Sequence, residues 1–168
     1  IECYKQALRI KPDYAEAFNN MGISLTKIGN MEAAIKSFKK ALEAKPLYAD
    51  AANNLGVAFR DQGNYKEAIV SFKKALKIRP NVAATYNNMG TALRSSGDVQ
   101  EAIKCYEKSL EIKPGNATTY YNQGNAFVSC GNLERAIESY KQALKIKPDY
   151  AEVYNKMGII LKNVVFKE

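Results

Sequence analysis

Apolar and polar positions follow one another along this chain with the spacing of amphipathic helices, and the helices come in pairs. The segment ADAANNLGVAFRDQGNYKEAIVSFKKALKIRPNV, Ala49 to Val82, holds two such stretches, split at Gly63-Asn64 and closed by Pro80. Ile69, Phe72, Leu76 and Ile78 keep helical spacing along the second stretch and predict a buried seam there. The pattern then recurs. Gly56 returns as Gly22, Gly90, Gly124 and Gly158, and Ala68 as Ala34, Ala102 and Ala136. The Gly-Asn turn returns at Gly29-Asn30, Gly97-Asp98 and Gly131-Asn132, and Pro12, Pro46, Pro80, Pro114 and Pro148 stand 34 residues apart. A period of that length predicts a solenoid in which neighbouring units bury what no unit buries alone.

The spacing predicts a first helix, A, over 15–28, 49–62, 83–96, 117–130 and 151–163, and a second, B, over 32–45, 66–79, 100–113 and 134–147. The units so defined are 15–48, 49–82, 83–116 and 117–150, with a half unit (helix B) over 1–14 and another (helix A) with an apolar tail over 151–168. A glycine inside a helix costs about 1 kcal/mol against alanine, so the repeated glycine of helix A is expected to serve close packing between helices. The turn glycine suits the left-handed residue that closes a helix, and proline ends helix B. In the last half unit the Gly-Asn turn is missing and Ile159, Ile160, Leu161, Val164, Val165 and Phe166 follow. That apolar end is expected to pack on a further domain or on a second copy.

The letters at fixed places carry a resemblance. Phe18, Met21, Gly22, Leu25, Ala34, Phe38, Ala41 and Pro46 recur as Ala52, Leu55, Gly56, Phe59, Ala68, Phe72, Ala75 and Pro80. They recur again as Tyr86, Met89, Gly90, Leu93, Ala102, Tyr106, Ser109 and Pro114, and as Tyr120, Gln123, Gly124, Phe127, Ala136, Tyr140, Ala143 and Pro148. This resembles the tetratricopeptide repeat over essentially the whole chain. The resemblance implies an all-α fold, an α-solenoid wound as a right-handed superhelix of antiparallel helix pairs, whose A helices line a concave groove. It also implies ligand contact from the second, fifth, ninth, twelfth and thirteenth positions of helix A. Among these are Asn19, Asn53, Asn87 and Tyr121 at the fifth, Asn125 at the ninth, and Arg60 and Arg94 at the twelfth.

The sixth position is asparagine in every complete unit, as Asn20, Asn54, Asn88 and Asn122, until Lys156 breaks the row. The row resembles the asparagine ladder in the repeat arm of O-linked N-acetylglucosamine transferases. Amide side chains offer the donors and acceptor that an extended peptide backbone requires. The same side chains are also suited to tying adjacent A helices together, and both readings stand at this point. Chaperone-binding members of the family hold a terminal carboxylate with Lys at the fifth and Asn at the ninth position of one A helix; that pair is absent here, so no carboxylate-clamp ligand is expected.

Composition narrows the chemistry. The chain has no His and three Cys, which lowers the case for proton-transfer catalysis and leaves no zinc spacing or disulfide framework. No phosphate loop or nucleophile elbow is present, so no catalytic residue, metal or cofactor is assigned. The net charge is +8, and the positive excess sits on the B segments, which together with residues 1–11 hold 19 Lys and Arg against 9 Asp and Glu. Basic charge therefore sits outside the expected groove, and a nucleic-acid site, which needs Lys and Arg in a stripe with stacking aromatics, is not expected. No stretch reaches the ~20 apolar residues of a membrane span, and reduced thiols fit a cytoplasmic setting. The expected function is a protein-interaction scaffold that binds an extended segment of a partner. Two alternatives are a substrate-recruiting arm of a larger transferase continuing beyond residue 168, and an array that self-assembles through its terminal helices.

Overall fold

A computed structural model describes residues 1–165, with side chains through Lys162. Ten helices follow one another: α1 Glu2–Ile10, α2 Ala15–Lys27, α3 Met31–Ala44, α4 Ala49–Asp61, α5 Tyr65–Ile78, α6 Ala83–Ser96, α7 Val99–Ile112, α8 Ala117–Ser129, α9 Leu133–Ile146 and α10 Ala151–Val165. Even-numbered helices are the A helices and odd-numbered ones the B helices. Each complete B helix begins and ends one residue earlier than the spacing predicted. At the end, the residue before proline is pushed out of helical conformation: Lys45 lies at φ −140°, ψ 88°, so α3 stops at Ala44.

One two-residue turn both closes an A helix and opens a B helix. The Gly29 amide donates to Thr26 O and the Asn30 amide to Leu25 O, each at 3.0 Å, with Gly29 at φ +80°. This is the glycine-closed helix end that satisfies two otherwise orphaned carbonyls. Asn30 then caps α3, its side-chain oxygen accepting from the Ala33 amide at 3.2 Å.

Rings seat the repeated glycines. A methyl group on Gly22, Gly56 or Gly90 would stand 2.6–2.7 Å from a ring carbon of Phe38, Phe72 or Tyr106 respectively, and one on Gly124 would meet the Tyr140 ring. These four rings are 0–2 % exposed. The close approach predicted for the glycine is thus made by an aromatic side chain of the paired B helix, not by the helix backbones. Along α5 the buried line is Ala68, Ser71, Phe72 and Ala75. Ile69, Leu76 and Ile78, expected in that seam, are only half-buried.

Every helix packs on the next, and α2, α4, α6 and α8 also touch one another directly as a row. No comparable contact joins the B helices. The stack therefore curves with the A helices inside. At the far end, Ile160 of α10 is buried while Tyr154, Ile159 and Leu161 are about half-exposed. Val164, Val165 and Phe166, singled out in the apolar tail, lie outside the described side chains.

Candidate binding groove

The fifth and sixth positions of successive A helices meet across the row. Asn54 on α4 donates its Nδ2 to Asn19 Oδ1 on α2 at 3.0 Å. Asn122 on α8 donates likewise to Asn87 Oδ1 on α6 at 3.0 Å. Asn20, at the start of the row, is exposed and accepts from Asn19 Nδ2 at 3.4 Å. The helix-tying geometry is therefore present at two junctions. It consumes one amide hydrogen of each donor and leaves the side-chain oxygens of Asn54 and Asn122 without a partner among the described residues.

The middle junction is built differently. Asn88 Oδ1 accepts from Arg60 Nη1 at 3.3 Å, not from a fifth-position amide across the row. Asn53 Oδ1, which a regular ladder would pair with Asn88, is shielded from solvent and has no hydrogen-bond partner among the described residues. Arg60 is held in turn by Asp61, with Nη2 and Nε donating to Oδ1 at 2.7 and 2.9 Å. Both acids of α4 are ion-paired: Asp61 with Arg60, and Asp50, on the exposed surface, with Arg79 at 3.0 Å.

A polar feature of the groove comes from the B helices and is absent from the predicted set. Tyr106 and Tyr140 pass beneath the glycines of α6 and α8, and their hydroxyls emerge at the ninth position. Tyr106 OH donates to Thr91 Oγ1 at 3.3 Å, and Tyr140 OH to Asn125 Oδ1 at 2.8 Å. Where the B-helix ring is Phe38 or Phe72, the ninth position is Ile23 or Val57, packed in the same apolar clusters. The exchange of Phe for Tyr alongside Ile or Val for Thr or Asn is visible in the sequence and is the signal that points to these residues. Burial, first, and then the neighbouring Tyr121 push the Tyr140 phenol up to about 12, so at neutral pH it stays a donor. Tyr121, in place of a fifth asparagine, leans on Tyr140 and Tyr150 with ring centroids 6.1 and 5.4 Å away.

The groove is thus lined by half-exposed Asn54, Val57, Arg60, Asn88, Thr91, Arg94, Tyr121, Asn122 and Asn125, while Asn19 is buried at 4 % exposure. Clefts of mixed charge run along the B helices. One of roughly 640 Å³ follows α3 past Glu32, Lys36, Lys39, Lys40 and Glu43, and one of roughly 370 Å³ passes Lys39, Glu43, Val70 and Lys74, with Ala52 and Leu55 of α4 at its edge. Among the described residues no group of His, Cys, Asp and Glu is placed to hold a metal ion, and no helix is long and apolar enough to cross a membrane. Cys3 and Cys130 are exposed and Cys105 is buried, all three as thiols.

Family profiles described as tetratricopeptide repeat match residues 13–81, 48–114 and 105–138, and one described as TPR repeat matches 124–164. Among solved structures, a crystal structure of MamA superposes with a TM-score of 0.81 at 30% identity, covering 89% of this chain and 87% of that one. PilF of Pseudomonas aeruginosa superposes with a TM-score of 0.81 at 25% identity, covering 89% of this chain and 68% of that one. MamA of Desulfovibrio magneticus RS-1, at 20% identity and TM-score 0.82, covering 88% of this chain and 83% of that one, shares the fold. Comparison with curated protein sequences found no match.

Proposed function

This chain belongs to the tetratricopeptide repeat family and is a protein–protein interaction scaffold, and from that premise we propose that its inner groove binds an extended segment of a partner protein through that segment's main chain. The observation that carries the reading is the set of unspent amide valences along α4, α6 and α8. The oxygens of Asn54 and Asn122 and the Nδ2 groups of Asn88 and Asn125 have no partner among the described residues, and all four side chains are half-exposed on one face. An extended peptide presents N–H and C=O groups alternately, and such amides satisfy both kinds. Ile23 and Val57 add apolar contact at the N-terminal end of the groove, where side chains of the segment gain from burial.

Selection of binders from a displayed library of random dodecapeptides, followed by affinity measurement by fluorescence anisotropy, tests this. The Asn54→Ala, Asn88→Ala double variant is expected to bind the selected peptides about tenfold or more weakly, the loss of two hydrogen bonds. Asn19→Ala removes the bond between α2 and α4 without removing a half-exposed amide, so it lowers stability while affinity is retained. Affinity unchanged in the double variant, or lost equally in Asn19→Ala, means that the row only ties the helices together.

A further inference from the structure

The twelfth position is arginine in two adjacent A helices, and the two are treated differently. Arg60 has its charge answered within the protein by Asp61. Arg94 has no ion-pair partner among the described residues. No other charged residue occurs on α6 (AATYNNMGTALRSS) and none on α8 (ATTYYNQGNAFVS), so this guanidinium is the single formal charge carried by those two helices. It is half-buried, and its Nε is shielded from solvent without a hydrogen-bond partner among the described residues. Taking a cation out of water without a counter-ion is unfavourable and is offset when an anion joins it.

The surroundings suit an anion. Arg94 lies close enough to the phenols of Tyr106 and Tyr140 that its charge opposes the rise that burial imposes on both. Each hydroxyl has its hydrogen committed, to Thr91 and to Asn125, so neither donates to an anion, and the Tyr106 oxygen is left to accept from Arg94. Asn125 has given only its oxygen, and its Nδ2 remains free to donate on the same face.

We propose that the groove over α6 and α8 holds a side-chain carboxylate, an Asp or Glu within the partner's bound segment, with Arg94 as counter-ion and the Asn125 amide as second donor. The inference rests on the groove reading above and specifies its ligand: a segment bearing an acidic residue toward α6 and α8 and apolar side chains toward Ile23 and Val57. One guanidinium fork matches one carboxylate in charge and in shape. This differs from a terminal-carboxylate clamp, since it uses the twelfth position and needs no chain end.

The test uses the same displayed dodecapeptides. Peptides selected by the wild-type chain are expected to share an Asp or Glu at one aligned position. Changing that residue to Asn or Gln weakens binding about tenfold or more. Arg94→Gln, checked for an unchanged thermal melt, loses the preference for the acidic peptide, and Arg94→Lys keeps part of it. Lys74→Gln, the same loss of charge on the outer face of α5, keeps all of it. Selected peptides without an acidic position that still lose binding in the Asn54→Ala, Asn88→Ala variant overturn this inference and leave the groove reading standing. Peptides indifferent to both sets of substitutions, or no selected peptide at all, overturn the two together.

Discussion

At the scale of single residues, one letter carries the packing of each helix pair. Gly56 lacks a side chain because the Phe72 ring fills that space, and a methyl group there would stand 2.6 Å from the ring. Gly158 has the same place in α10, yet among the described residues nothing lies within 4 Å of its would-be methyl group. The two glycines therefore respond oppositely to alanine. Forcing a methyl group against a fully buried ring costs about 1–3 kcal/mol, which exceeds the ~1 kcal/mol that alanine contributes as a better helix former. Gly56→Ala is expected to lower unfolding free energy by about 1 kcal/mol, while Gly158→Ala raises it by about half that or more. Urea unfolding monitored by circular dichroism reads both. A gain at both positions means that the ring moves aside freely and that the glycine serves no packing role.

At the scale of elements, the helix pairs were legible because glycine and proline punctuate them and apolar residues keep helical spacing between. The lateral bond from the fifth position of one A helix to the sixth of the next was only half legible. The repeat period says that Asn19 and Asn54 occur again and again, but not how far neighbouring helices are offset, and the offset decides which amides meet. The break at the middle junction was hidden for a related reason. Asn53 and Asn88 read like any other members of the row, and only the reach of Arg60 into Asn88 separates them. The hydroxyls of Tyr106 and Tyr140 were not legible because Phe38, Phe72, Tyr106 and Tyr140 share one repeat place and all four rings are buried.

Those hydroxyls make a pH prediction for the α8 and α9 pair. Tyr140 has its phenol raised from 10.0 to about 12 in the folded chain. Its contribution to stability is therefore fully present below pH 10 and is lost as the pH rises toward 12. Urea unfolding between pH 8 and 11 is expected to show a steeper alkaline loss in the wild-type chain than in Tyr140→Phe. At pH 8 the variant is less stable by about 1 kcal/mol, the worth of the hydrogen bond to Asn125. Parallel pH curves for the two proteins mean that the phenol is not held neutral by its surroundings.

At the scale of the molecule, the curvature and the charge act together. α2, α4, α6 and α8 touch one another along the inside of the stack, and among the described residues the B helices make no comparable contact, so the half-exposed amides converge on one face. The excess of Lys and Arg lies on the B helices, where it surrounds the clefts of α3 and α5. The two faces thus offer a partner different chemistries: half-exposed amides with Arg60, paired to Asp61, and Arg94 on the A helices, and solvated lysines on the B helices. The central claim is that the inner face is the one used. Titration of isotope-labelled chain with a selected dodecapeptide, followed through the side-chain NH2 resonances in an amide correlation spectrum, reads this most directly. The account predicts that the NH2 signals of Asn54, Asn88, Asn122 and Asn125 shift together while the backbone amides around Lys39, Lys40 and Lys74 stay in place. Shifts confined to α3 and α5, with the four asparagines unmoved, would contradict it.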